Sequence, residues 1–216
     1  MLNTTVVSLA LFPIITFSGY PVDMPRSPVE LASHQISLGN RQPNSFVNGI
    51  FRDNILLNLA YMDGQVHSKS QIDWDSIRKP VNYQFNLEPG QTFAFHDSVL
   101  PQYQGRVTHT SNAHFNFADG FKSDGYLMGD GVCHFASLIN WAAKDAGLSV
   151  VFPTNHNFAN IPDIPRQYGV SIFYHPNRAA SSSSQNLYIT NTLKYSVIFK
   201  IDYKEDLLKV TILKDS

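Results

Sequence analysis

The chain holds one cysteine, Cys133, in the run Gly129-Asp-Gly-Val-Cys133-His-Phe-Ala-Ser. A single thiol rules out a disulfide within the chain and a zinc site built on several thiolates. Asp130 or Gly131 is suited to cap a helix, which puts Cys133 in its first turn. There the unpaired N–H groups and the helix dipole favour negative charge, which predicts a lowered thiol pKa and a thiolate able to attack carbonyl carbon. Gly129 and Gly131, on either side of Asp130, let backbone approach a substrate, and N–H groups from Gly131 to Cys133 can face an oxyanion. The competing reading is a buried cysteine that acts as a small apolar filler.

A thiolate nucleophile needs a proton carrier, most often histidine. About fourteen residues of helix after Cys133 run roughly 20 Å away from it. The chain turns at Gly147, and about six residues of strand run roughly 20 Å back. The return ends at Asn155-His156-Asn157, which pairs His156 with Cys133. Asp163 is the chosen group to orient the imidazole. His134 lies about 100° round the helix from Cys133 and is expected in a wall of the cleft. A rival site would place three of His96, His109, His114 and His134 on zinc with water in the fourth position, but their spacing matches no compact motif, so neither metal nor cofactor is expected.

Helices and strands around these groups follow from the residue pattern. Asn44-Ser45 caps a helix from Phe46 to about Tyr61. Val81 to Leu87 and Gln91 to Phe95 read as paired strands around the turn Glu88-Pro89-Gly90-Gln91. Residues 101–128 read as a long loop with short strands, in which Phe115, Phe117, Phe121 and Tyr126 could line a groove. A helix from about Val132 to Ala146 leads to strands at Leu148 to Phe152 and Gly169 to Tyr174. Ala179 to Ser184 reads as a loop. A strand near Leu187 to Ile189 and a hairpin, Val197 to Tyr203 against Leu208 to Ile212, close the chain. The pattern predicts an α+β fold: one domain with a central helix, carrying Cys133 at its N-terminus, packed on a mostly antiparallel sheet.

Of the 216 residues, 43% are hydrophobic, enough for a sizeable core. Charged residues make up 15%, and the formal net charge is −1, which leaves no general attraction to nucleic acid. Residues 1–20 are apolar and interrupted by Pro13, too short for a membrane span. We read them as an export signal or apolar leader, although the n-region carries no Lys or Arg. Residues 21–43 read as a linker or surface wrap, and 44–216 as the domain.

The signature around Cys133, with Leu138-Ile-Asn-Trp-Ala142 and Ala146-Gly147-Leu148, resembles the VanW-like family. Asn54-Ile55 and Pro89-Gly90-Gln91-Thr92-Phe93-Ala94-Phe95 resemble two of its upstream elements, and His156 falls where the family has a histidine. Asp130, His134 and Ala136 depart from the family pattern, as does Tyr168 where it has an aspartate. This marks a divergent member. The family is named for an accessory protein of vancomycin-resistance clusters, and its members are typically exported or membrane-anchored. The resemblance therefore implies an extracytoplasmic, cell-envelope protein. The order Cys133, helix, strand, His156 is also distantly like that of transglutaminase-like enzymes, a fold-level analogy.

These readings combine into amide or ester processing, or acyl transfer, on peptidoglycan-type substrates. Cys133, His156 and Asp163 would be catalytic, and Gly129, Asp130, Gly131, His134, Phe117 and Tyr126 would bind. The alternative is a non-catalytic domain that binds a wall peptide or glycan, or serves as scaffold. Membrane contact is expected only through the leader.

Overall fold

The computed structural model of the protein describes residues 27–125 and 128–215. The leader read at residues 1–20 and the binding residue Tyr126 lie outside them. Strand β1 (Val29–Ser37) falls in the stretch expected as linker, where it pairs antiparallel with the last strand of the chain. Helix α1 (Ser45–Met62) begins where expected: the Asn44 side chain accepts hydrogen bonds from the N–H groups of Phe46 and Val47. From Ile50 onward the helix is buried almost all round, and short α2 (Trp74–Ile77) packs beside it.

The turn at Glu88 to Gln91 is present, with Gly90 at φ +85° and the Gln91 N–H bonded to Glu88 O at 3.0 Å. The strands it joins do not pair with each other. β2 (Val81–Leu87) enters one sheet, while β3 (Thr92–Ala94) enters another beside β4 (Val107–His109). The turn thus crosses between sheets. Leu87 and Phe93 are each fully buried, so each strand has found its own layer.

Helix α3 (Val132–Asp145) carries Cys133 in its first turn and is followed by β5 (Ser149–Val151). Ala179 to Ser184, expected as a loop, forms helix α4 (Ala179–Ser184), in which the hydroxyls of Ser182, Ser183 and Ser184 bond carbonyls three or four residues back. β6 (Tyr188–Thr190) precedes the hairpin of β7 (Val197–Lys204) and β8 (Leu207–Lys214). In that hairpin Val197, Phe199, Ile201 and Tyr203 are buried on alternate positions, and Glu205 and Asp206 take the left-handed turn that matches strand twist.

The antiparallel sheet runs β1-β8-β7-β2 and the mixed sheet β4-β3-β6-β5. α3 packs across β1 and β8, against α1 and beside β5, so the fold is α+β with a central helix. Among the described residues no helix is long and apolar enough to cross a membrane.

Candidate functional site

The N-terminus of α3 is held by α1. Asn54, fully buried, donates to the carbonyls of Lys122 at 3.0 Å and Asp130 at 2.9 Å and accepts from the Lys122 N–H at 2.8 Å. Gly131 is the helix cap, at φ +96°, and a Cβ there would stand 2.6 Å from Phe51 O. A Cβ on Gly129 would meet Phe115 O at 2.9 Å. The two glycines are thus needed for backbone-on-backbone packing, not only for approach to a ligand.

One face of α3 then bonds backbone that the sequence suggested was a strand. Asn140 donates to Tyr168 O at 2.8 Å, and the Ser137 hydroxyl accepts from the Val170 N–H at 2.9 Å. The Cys133 sulfur accepts from the Ile172 N–H at 3.4 Å and can donate to Ile172 O at 3.7 Å. Residues 133, 137 and 140 recur at helical spacing, while 172, 170 and 168 recur at strand spacing. Gly169 to Tyr174 is extended but is not a ladder strand, because side chains of α3 satisfy one of its edges. Its other edge meets 154–156: Ser171 N–H bonds Thr154 O at 3.0 Å and His156 N–H bonds Gly169 O at 3.1 Å. Through this relay His156 returns to the level of Cys133.

Cys133, His134, His156, Asp130, Gly129 and Gly131 all line one cleft of about 400 Å³. Phe51, Phe158 and Phe173 give it aromatic walls, and Phe158 is 72% exposed. Among the described residues no lysine or arginine lines it, whereas Asp124 and Asp130 do.

The electrostatics differ from the expected activated thiol. Cys133 keeps a partial opening to the cleft, yet the dry surroundings of its sulfur push the thiol up to about 11, against a smaller opposite effect of the Ile172 backbone. Desolvation is the largest influence, and the nearby Asp130 carboxylate acts in the same direction. In addition, the Val132 N–H, expected to face an oxyanion, is bonded to Gly129 O at 3.1 Å. Burial lowers both imidazoles: His156, and His134 to about 3 with help from Arg41 and His156. Their rings lie 6.2 Å apart and nearly perpendicular. Burial pushes the Asp130 carboxyl up to about 6, and the neighbouring Asp124 carboxylate adds to this.

Asp163 stands elsewhere. Its carboxylate pairs with buried Arg41 and accepts from the Ser37 N–H at 3.1 Å, tying the 162–163 turn to β1. The His156 Nδ1 instead lies 3.2 Å from Ala159 O, so a backbone carbonyl orients the ring and leaves Nε2 as acceptor. Phe117 lines a neighbouring groove, not the cleft beside Cys133. The four histidines of the rival metal site do not converge: His96, bonded to Gln185 O, and His114, paired with Asp97, both pack on Tyr174, whereas His109 stacks on Phe85 and His134 lines the cleft. Among the described residues no group of three or more His, Cys, Asp or Glu is placed to hold a metal ion.

Phe158 and Phe173 were missed in sequence, since an exposed aromatic beside a loop carries no periodic signal. The polar residues of α3 at 137 and 140 could have been noticed as a stripe continuing from Cys133. A family model described as VanW like protein matches residues 81–213. No curated protein and no solved structure matches the chain.

Proposed function

The chain belongs to the VanW-like family, and from that premise we propose that it works at the cell envelope, outside the cytoplasm, by holding a wall peptide in the cleft beside Cys133. The observation that carries this reading is the make-up of the cleft. Its size suits a short segment of chain, its walls are aromatic, and its histidines are neutral hydrogen-bonding groups. The charge it offers is acidic, from Asp130, which favours an amine on the ligand and disfavours an acidic glycan. As a family member the chain is a vancomycin-resistance accessory-like protein, a context in which wall peptides are at hand.

Titration of the purified protein with soluble peptides released from bacterial cell wall, followed by calorimetry, tests the proposal. Saturable binding that weakens in Phe158→Ala is expected. Binding of glycan fragments in preference to peptides would overturn it. Placement outside the cytoplasm is tested by protease digestion of intact cells, where a protected protein would count against it.

One observation favours a second reading, acyl transfer. The neutral His156 has Nε2 available as acceptor in the same cleft as Cys133. With the thiol at about 11, no resting thiolate is expected. His156 would have to take the proton as Sγ attacks the amide carbon, then give it to the departing amine, leaving a thioester for water or a second amine. Release of amine from wall peptides by the native protein but not by Cys133→Ser would establish it.

A further inference from the structure

The cleft does not end at Asp130. Met128 lines both it and a second groove of about 520 Å³, formed with Trp74, Phe117, Lys69, Lys122 and Ile72. This second groove has the opposite charge. Lys69 stands 3.3 Å over the Phe117 ring and has no carboxylate within ion-pair reach among the described residues. Lys122 lies 3.8 Å over the Trp74 ring and shares the buried Asp53 with Arg78, so that trio carries a surplus positive charge.

The groove is also built rather than incidental. Phe117 is 68% exposed, yet it sits in a loop closed by hydrogen bonds from the Gly120 N–H to Phe117 O at 3.1 Å and from the Phe121 N–H to Asn116 O at 3.1 Å. Gly120, at φ +85°, lets Ile72 come so close that a Cβ there would stand 2.2 Å from it. Large apolar side chains held exposed in this way, rimmed by charge, mark binding surfaces.

We propose that this groove is a second subsite of the same peptide cleft, reached across Met128, and that Lys69 there takes the ligand's carboxylate while its amine faces Asp130. The occupant is an extended peptide with both charges: the acidic end and the lysine end match the two ends of one such chain and fit an anionic polymer at one end only. The proposal rests on the peptide reading above. Aromatic and methionine side chains between the ends supply contact area without fixed charge.

Hexa-alanine in four forms, with each end free or blocked by N-acetylation or C-amidation, separates the possibilities. Binding is followed through the Met128 methyl signal in the native protein and in Lys69→Gln, an exposed change far from the core. C-amidation is expected to weaken binding about three- to fivefold at low salt, the range for an exposed ion pair, and to have no effect in Lys69→Gln. N-acetylation should weaken binding equally in both proteins. If the free peptide binds but amidation costs nothing, or costs the same in Lys69→Gln, the subsite falls and the peptide cleft stands. If no form binds, both fall together.

Discussion

Cys133 and Ile172 bond to each other across 39 positions of sequence, the Ile172 N–H reaching the sulfur at 3.4 Å and the sulfur facing the Ile172 carbonyl at 3.7 Å. The thiol is therefore the last rung of a ladder, after Asn140 with Tyr168 and Ser137 with Val170, that fastens the central helix to the segment positioning His156. A structural duty and an opening to the cleft coexist in one side chain.

That duty sets the thiol's reactivity. With a pKa near 11, roughly one molecule in ten thousand is thiolate at neutral pH, so alkylation by iodoacetamide should run about a hundredfold slower than for an ordinary cysteine. The rate should keep rising with pH through 9. A plateau on the acid side of pH 8 would mean an activated thiol after all. Cys133→Ser, which can keep both bonds, should unfold within about 1 kcal/mol of the native protein, whereas Cys133→Val should cost about 1–3 kcal/mol by stranding Ile172.

The glycines of the signature can be tested as packing residues. Gly131→Ala puts a methyl 2.6 Å from Phe51 O at a backbone angle that alanine avoids, and should cost about 3 kcal/mol in denaturant unfolding. Gly49→Ala in α1 has nothing within 4 Å of the new methyl and should gain about 0.5–1 kcal/mol. Equal stability of the two variants would show that Gly131 serves something other than its contact with α1.

Asn54→Ala should be costly although its side chain does not line the cleft. It leaves the Lys122 N–H and the Asp130 and Lys122 carbonyls without their buried partner, a loss of roughly 3 kcal/mol. Thermal unfolding measures it, and a loss below 1 kcal/mol would mean that water replaces the amide.

The pH dependence follows from Asp130. Its folded pKa, about 6, lies above the ordinary carboxylate value near 4, so the folded state prefers the neutral form. Ionising it costs stability that begins to be lost near pH 4 and is lost in full above pH 6. Asp130→Asn should therefore raise the melting temperature at pH 7 while leaving it little changed near pH 4. The native protein should hold an amine-bearing peptide more weakly as pH falls below 6, and Asp130→Asn should bind weakly throughout. A variant less stable than the native protein at pH 7 would contradict the assigned shift.

Local elements were legible in the residue pattern. The Asn44 cap, the stop at Gly147, the period-two hairpin from Val197 and the placement of Cys133 in a first helical turn are short-range properties, set by propensity and alternation within a few residues. The return of the chain toward His156 likewise depends on rise per residue along a helix and an extended segment. Which groups partner each other is settled by long-range packing. β1 was recruited from an apparent linker because β8 offered an open edge, and the turn at Pro89 joins two sheets instead of one. Asp163 went to Arg41, and Ala159 O took its place beside His156. The sign of the Cys133 shift reversed for the same reason: a helix terminus is visible in sequence, but the dryness around a sulfur is a sum over neighbours brought from distant parts of the chain.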